Sequence, residues 1–300
     1  VGDRGKADVS FTVRRDDLET TLATLGEVID TLGADGITHD DDVSKVSVVG
    51  ANMAEQAGVA SEMFRALARA DVNIQMITTS EIKISALVPR SQASTALRAV
   101  HRSFQLHEKP NDAKSWHQIK ADREAGVEVE TLISRLRDDA LEALTLTGIS
   151  VLDHQARVTL MGVPDRPGIA ADMIERIGAA GISVDMIVQG FDGIDGSTSV
   201  SFTVGEGALE AGLKVAKEIA DSHGMRGVQG VGKIAKVTVS GIGLRSHTHV
   251  ATLLFQTLSE SDINVEMIST SELQVNAVIS SSAAETAKKG LEKVFAGSLG

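Results

Sequence analysis

The chain has 300 residues and a formal net charge of −12, from 29 Lys and Arg against 41 Asp and Glu. This length predicts more than one domain, and the acidic balance excludes the clustered positive charge of a nucleic-acid or anionic-membrane surface. The absence of cysteine excludes disulfides and thiolate metal sites. With neither a signal-peptide pattern at its start nor a long apolar run, the protein is expected in the cytoplasm.

The first predicted elements are a strand and a helix. The strand covers Asp8 to Val13, and the helix begins at about Asp17 and ends at Gly33. The helix is indicated by apolar residues at helical spacing, namely Leu18, Leu22, Leu25, Ile29 and Leu32. A short strand is expected to follow it.

Residues 45–106 predict a unit in the order strand, helix, strand, strand, helix. The strands are Lys45–Gly50, Asn73–Thr79 and Glu81–Val88, and the helices are Gly58–Ala70 and Ser91–Phe104. With one further strand this order is the ferredoxin-like βαββαβ plan, in which two helices cover one sheet. We therefore predict an α+β fold built from such units, packed in pairs.

A repeat with an offset of 191 residues divides the rest of the chain. Val9–Val13 (VSFTV) recurs as Val200–Val204 and Asn73 recurs as Asn264, so residues 1–104 match 192–295 without a gap. We expect 1–44 to be the C-terminal part of a truncated first domain. The second domain is 45–106, a linker with a connecting helix is 107–143, and the third and fourth domains are 144–232 and 233–300.

One loop suggests a binding site. Val163–Gly168 (VPDRPG) leads from a predicted strand into a helix that begins at Ile169. Free amides at a helix start favour a carboxylate, and Asp165 offers a negative partner for an ammonium group, which together suit a free amino acid. Alternatively, Asp165 and Pro167 only shape the start of the helix.

Two segments resemble the regulatory ACT domains of aspartate kinase. These are Ile263–Glu272 (INVEMISTSE) and its copy Val72–Glu81 (VNIQMITTSE), and Asp165–Ala170 with Val184–Gln189 resembles the preceding unit of that family. Two tandem pairs resemble the four-ACT enzymes of cyanobacteria and related bacteria. The resemblance implies tandem ferredoxin-like ACT domains in a regulatory fragment that lacks the kinase domain.

The resemblance also implies effector-binding residues. A threonine-type site would lie between the third and fourth units and use Asp165, Gly168, Ile169, Ala170, Gln189, Asn264 and Val265. In the earlier pair, Asn73 and Ile74 match the motif, but their partner loop would precede Val1. A lysine-type site would use Ser271 and Glu272, or Ser80 and Glu81; alternatively, these residues only connect strands.

The implied function is feedback control by lysine or threonine, transmitted to the kinase domain of the parent chain, which phosphorylates aspartate. ATP and Mg²⁺ would belong to that absent domain, so we expect no catalytic residue, metal or cofactor in this chain. A homodimer through the ACT domains is also expected. The alternative is a freestanding tandem-ACT protein that binds amino acids or serves as a dimerisation module.

Overall fold

The computed structural model describes residues 9–50, 57–80, 82–107, 144–191, 198–244 and 246–296. Within these ranges the strands are β1 (Val43–Val49), β2 (Met76–Thr79), β3 (Lys83–Pro89), β4 (Thr145–Val163), β5 (Ile187–Phe191), β6 (Thr198–Gly205), β7 (Gly227–Ile242), β8 (Met267–Thr270) and β9 (Gln274–Ser280). The α-helices are α1 (Leu18–Leu32), α2 (Ala57–Arg69), α3 (Ala93–Ser103), α4 (Ile169–Ala179), α5 (Leu209–His223), α6 (His249–Glu260) and α7 (Ala284–Phe295).

All of these strands belong to one curled antiparallel sheet. Their order is β1-β3-β2-β5-β6-β4-β7-β9-β8. The second unit contains β1 to β3 with α2 and α3, the third is built around α4, β5, β6 and α5, and the fourth contains α6, β8, β9 and α7. The observed elements match the predicted α+β, ferredoxin-like class.

The helices pack on the sheet through aliphatic cores. One apolar cluster extends from Phe64 and Leu67 of α2 to Ile177 of α4 and Phe202 of β6, so the second and third units share it. The fourth unit has its own cluster, which includes Leu146. Burial of each such side chain contributes about 1.5–3 kcal/mol, so the shared cluster binds the second and third units into one body.

The long strands β4 and β7 each serve two units. Residues 145–152 of β4 pair with residues 236–242 of β7 in the fourth unit, whereas residues 155–163 pair with β6 in the third. The register shifts between these halves, and His154 and Lys233 adopt a positive φ of 56° nearby. The division into 144–232 and 233–300 stays a prediction. The strand pairing shows in addition that residues 145–152 complete the sheet of the fourth unit.

Of the three predicted N-terminal elements, the helix is confirmed, whereas the strand before it and the short strand expected between it and β1 are not observed in the described residues. Helix α1 has the predicted bounds, and Gly33 ends it in the left-handed conformation with φ 62°. The predicted strand is wrong, because Val9–Val13 is not a strand and Phe11 is 55% exposed; Asp8 lies outside the described residues. The copy Val200–Val204 pairs with β4 and β5, whereas Val9–Val13 pairs with no strand of the described ranges.

The linker with its connecting helix was predicted at 107–143. Of these residues only His107 is among those that the structure describes. Across the described ranges, no helix has the length and apolar character needed to cross a membrane.

Candidate ligand-binding site between the second and third units

The second and third units meet edge to edge. Strands β2 and β5 pair antiparallel at Thr78 and Val188, two residues that both occupy the position of Ser269 in the fourth unit. Thr79 Oγ1 accepts a hydrogen bond from the Ile187 amide at 3.1 Å. Because equivalent strands pair antiparallel, the two units are related by a local two-fold axis.

A cavity of about 340 Å³, its open mouth included, lies at this junction. The second unit contributes Asn73 and Ile74; the third contributes Val163, Pro164, Asp165, Arg166, Gly168, Ile169, Ala170, Met173, Gln189, Thr198 and Val200. Because this figure includes the open mouth, the enclosed part of the cavity is smaller and has room only for a small ligand.

The loop before α4 forms one wall of the cavity. A register shift after Met161, where Gly162 has φ 69°, ends the regular pairing of β4, and Gly168 precedes the helix with φ 92°. Glycine adopts both conformations without the strain that a side chain would add. The first helical hydrogen bond runs from the Asp172 amide to Gly168 O at 3.0 Å, so the amides of Ile169 and Ala170 have no helical acceptor. Such amides form a site for a carboxylate.

Polar side chains complete the wall across the unit boundary. Asn73 Nδ2 donates a hydrogen bond to Asp165 Oδ1 at 2.7 Å. Gln189 lies on β5 beside this pair, and Met173 and Val200 supply apolar surface. The cavity thus combines a carboxylate, free backbone amides and an apolar surface, which are complementary to the ammonium, carboxylate and side chain of an amino acid.

Helix α4 is fixed to α5 one turn beyond the loop. Asp172 accepts hydrogen bonds from His223 of α5 at 2.8 Å and from Arg176 at 3.1 Å. Burial alone would raise the pKa of Asp172, but these hydrogen bonds and charges hold it below its ordinary value. The charged carboxylate therefore anchors the start of α4 and, with it, the loop that lines the cavity.

The structure brings together only part of the predicted threonine-type site. Asp165, Gly168, Ile169, Ala170 and Gln189 line one cavity, as expected from the sequence. Their partners in the second unit are Asn73 and Ile74. The prediction assigned these partners to the fourth unit and left Asn73 and Ile74 with half a site.

Asn264 and Val265 do not line the cavity. Asn264 is exposed, and Val265 packs against the apolar cluster of the fourth unit. The physical reason is the strand order, since β5 pairs with β2 and not with β8, which is the last strand of the sheet.

The predicted lysine-type residues lie away from the cavity. Ser271 Oγ accepts hydrogen bonds from the amides of Leu273 and Gln274 at 3.3 and 3.0 Å, so it shapes the turn between β8 and β9. Ser80 Oγ donates to Lys83 O at 3.2 Å in the corresponding turn. Glu81 lies outside the described residues.

Glu272 forms an ion pair with the chain's own Lys83, which belongs to the second unit. Their side chains are only 15% and 18% exposed. Burial alone would raise the pKa of Glu272, but the hydrogen bond and charge of Lys83, with help from Lys45, hold it below the ordinary value. The carboxylate predicted to meet a lysine ligand therefore contacts a lysine side chain of the protein and links the second unit to the fourth.

Two further ion pairs hold the third unit against the fourth. Arg157 lies 3.0 Å from Glu266, and Lys236 lies 2.5 Å from Asp185. By the sequence similarity of these two units, each pair is the counterpart of the other. No cluster of three or more His, Asp or Glu side chains in the described part of the chain is arranged to hold a metal ion.

Several cavity residues were missed by the sequence interpretation. The largest group is apolar, Val163, Pro164, Met173 and Val200, and the polar ones are Arg166 and Thr198. Thr198 and Val200 lie two positions apart on β6, so their side chains face the same side of the sheet. That pattern is visible in the sequence, but only the sheet order shows that this side faces the loop before α4.

Comparisons with known proteins agree with these observations. A family model described as the ACT domain matches residues 46–104, 158–218 and 237–295. Aspartate kinase of Pseudomonas fluorescens (strain SBW25) is 39% identical over 165 residues, which are 55% of this chain and 40% of that protein. Aspartokinase of Helicobacter pylori (strain 26695) is 37% identical over 168 residues, 55% of this chain and 41% of that protein.

A solved structure extends the similarity to nearly the whole chain. The crystal structure of aspartate kinase from Synechocystis matches with a TM-score of 0.80 and 27% identity, over 99% of this chain and 48% of that one. The chain thus spans less than half the length of these relatives. The resemblance to regulatory regions of aspartate kinase is confirmed, and, with three matched segments over more than half of its residues, the chain belongs to the ACT domain family.

Proposed function

We propose that this chain is the regulatory region of an aspartate kinase and that it binds a free amino acid between its second and third units. The observation that carries the proposal is the cavity in which Asn73 of one unit bonds Asp165 of the other beside the free amides of α4. Aspartate kinases among the relatives favour a chain attached to a kinase over a freestanding ACT protein.

In this proposal each part of the amino acid contacts a different part of the cavity. The amides of Ile169 and Ala170 bind its carboxylate, aided by the positive end of the α4 dipole. Asp165 attracts the ammonium group, and Gln189 can bond either polar group. The apolar surface of Met173 and Val200 accepts a short side chain. Of the two expected effectors, threonine has a shorter side chain than lysine and no charge on it, so threonine is the effector we propose for this site.

Lysine is a weaker candidate for the turn at Glu272. The ammonium group of Lys83 already contacts that carboxylate, so a lysine effector would have to displace it. In this proposal the cavity between the second and third units is the effector site, and the Lys83–Glu272 pair is a structural link.

Ligand binding would act through the arrangement of the units. An amino acid that contacts both the α4 loop and Asn73 favours the paired arrangement seen here over any other. A coupling of about 1–3 kcal/mol, typical of allosteric linkage, would change affinities in the kinase domain by about 5- to 150-fold. The kinase reaction itself, with ATP and Mg²⁺, belongs to the remainder of the proposed parent protein, and a homodimer and a cytoplasmic location remain predictions.

Isothermal titration calorimetry of the 300-residue chain with L-threonine and L-lysine tests the proposal. We expect threonine to bind one site. Asp165→Asn and Gln189→Ala should each weaken binding by at least about tenfold, because the first removes the negative charge that attracts the ammonium group and the second removes a hydrogen-bonding side chain. Asp221→Asn, on the exposed surface of α5, is the matched control. Binding by Asp165→Asn equal to wild type would show that the ligand lies elsewhere, and no binding of threonine by wild type would reject it as the effector.

A further inference from the structure

One buried side chain in the cavity, Thr198, lacks a hydrogen-bond partner in the described part of the chain. Thr198 is only 6% exposed, and its hydroxyl has no hydrogen-bond partner among the residues that the structure describes. The same side chain lines the cavity. A buried hydroxyl without a partner destabilises a protein, so such groups are rare unless a ligand or water supplies the missing bond.

The position of Thr198 shows which part of a ligand it would meet. Thr198 is the first residue of β6, where it pairs with Val163 of β4 and Phe191 of β5. Together with Val200 it forms the sheet side of the cavity, whereas the free amides and Asp165 lie on the loop side. In the proposed function the loop binds the ammonium and carboxylate of an amino acid, which leaves the sheet side to contact the ligand's side chain.

The neighbouring hydroxyl residues of β6 face the other side of the sheet, as alternation in a strand requires. Ser201 bonds the hydroxyl of Thr159 at 2.8 Å, and Thr203 Oγ1 accepts the Met186 amide at 3.1 Å. These hydroxyls are satisfied within the protein. Thr198 differs from them in both its direction and its lack of a partner.

We propose that Thr198 determines specificity: its hydroxyl bonds a polar group on the ligand side chain and so selects a hydroxyl-bearing amino acid over an apolar one of the same shape. This inference rests on the proposed function and deepens it by naming the ligand class. An apolar ligand would enclose the hydroxyl and leave it without a partner. Sites built to hydrogen-bond a ligand group discriminate strongly against analogues that lack it.

The test compares L-threonine with L-valine, which carries a methyl group in place of the hydroxyl. By calorimetry on the 300-residue chain, wild type should bind threonine at least about tenfold more tightly than valine. Thr198→Val should weaken threonine binding about tenfold and leave valine binding within about threefold. Thr198→Ser, which keeps the hydroxyl, should retain the preference for threonine.

Two controls separate recognition from stability. Thr203→Val on the opposite face should lower the unfolding midpoint without changing the preference, because it removes a bond inside the protein. Without ligand, Thr198→Val should unfold at or above the wild-type midpoint, because it removes no bond. An unchanged preference for threonine in Thr198→Val would overturn this inference alone, whereas a wild-type chain that binds no threonine would overturn the proposed effector as well.

Discussion

The same five residues have two different structures in this molecule. Val9–Val13 and Val200–Val204 both have the sequence VSFTV, yet the first is exposed and forms no strand, while the second lies inside the sheet. The second copy has β4 on one side and β5 on the other. Pairing partners, rather than the β-propensity of the segment, therefore decide whether it becomes a strand.

The two copies of the ACT motif differ in the same way. The strand of the second unit, β2, has β5 as its neighbour, and a cavity forms where their loops meet. Its counterpart in the fourth unit, β8, is the last strand of the sheet, and Asn264 beside it is exposed. The candidate site is therefore a property of two neighbouring units and not of the motif alone.

The largest expected difference between the copies concerns their phenylalanines. Phe202 is fully buried and Phe11 is 55% exposed. Phe202→Ala should lower the free energy of unfolding by about 3–5 kcal/mol, because it leaves a cavity in the core. Phe11→Ala should change it by no more than about 0.5 kcal/mol. Urea unfolding of both variants, followed by circular dichroism, measures the two values.

Equal losses in the two variants would contradict the comparison, because they would mean that Val9–Val13 is packed as well as its copy. Phe11→Ala is itself the matched control, since the deleted atoms and the flanking residues are the same in both variants.

The sequence predicts local features of this fold more fully than pairing between units. Helix α2 was predicted at Gly58–Ala70 and lies at Ala57–Arg69, because its apolar spacing and boundaries are encoded within the helix. The 191-residue repeat likewise revealed the units. Which unit pairs with the third was not predictable, because β2 and β8 carry nearly the same sequence. The site residues of one loop were therefore grouped correctly, and their partners across the boundary were not.

The second prediction concerns Glu272, whose copy by the repeat is Glu81. Glu272→Gln removes the charge partner of the poorly exposed Lys83, so we expect a loss of about 2 kcal/mol at neutral pH. The pKa of Glu272 is held below its ordinary value of 4.5. Its contribution to stability is therefore complete above the unfolded pKa and is lost as the pH falls through the lower, folded pKa. Urea unfolding of wild type and variant between pH 7 and 3 should show their difference shrinking only at the acidic end.

Glu285→Gln is the control for that series. Glu285 pairs with Lys289 at 3.1 Å, but both side chains are 71% exposed, so the loss should not exceed about 1 kcal/mol. A difference between wild type and Glu272→Gln that persists at the lowest pH would show that the carboxylate charge is not what links the second and fourth units.

The third prediction concerns the equivalent asparagines in the two copies of the ACT motif, Asn73 and Asn264. Asn73→Ala should weaken threonine binding by about tenfold, because it removes the hydrogen bond that holds Asp165 across the unit boundary. Asn264→Ala, at the copied position, should leave the affinity unchanged. Calorimetric titration of both variants measures the effect. The opposite result, with Asn264 required and Asn73 dispensable, would restore the pairing of the third and fourth units that the sequence suggested.

The smallest expected effect concerns the glycines that end two equivalent helices, one exposed and one packed on the core. Gly33 and Gly224 end the copied helices α1 and α5 with nearly the same positive φ, 62° and 66°, and a Cβ at either position would meet no atom within 4 Å. Alanine should therefore cost each helix a similar local strain of about 1 kcal/mol. Helix α5 buries Ala216 and Ile219 in the core, whereas α1 buries none of its residues.

Because of that difference, Gly224→Ala should lower the global free energy of unfolding by about 1 kcal/mol, whereas Gly33→Ala should leave it unchanged. In Gly33→Ala the strain should appear only as faster amide hydrogen exchange within α1. Urea unfolding gives the global term and hydrogen exchange gives the local one. If Gly33→Ala lowered global stability as much as Gly224→Ala, α1 would have to unfold together with the core. That result would contradict the view that α1 is only locally stable.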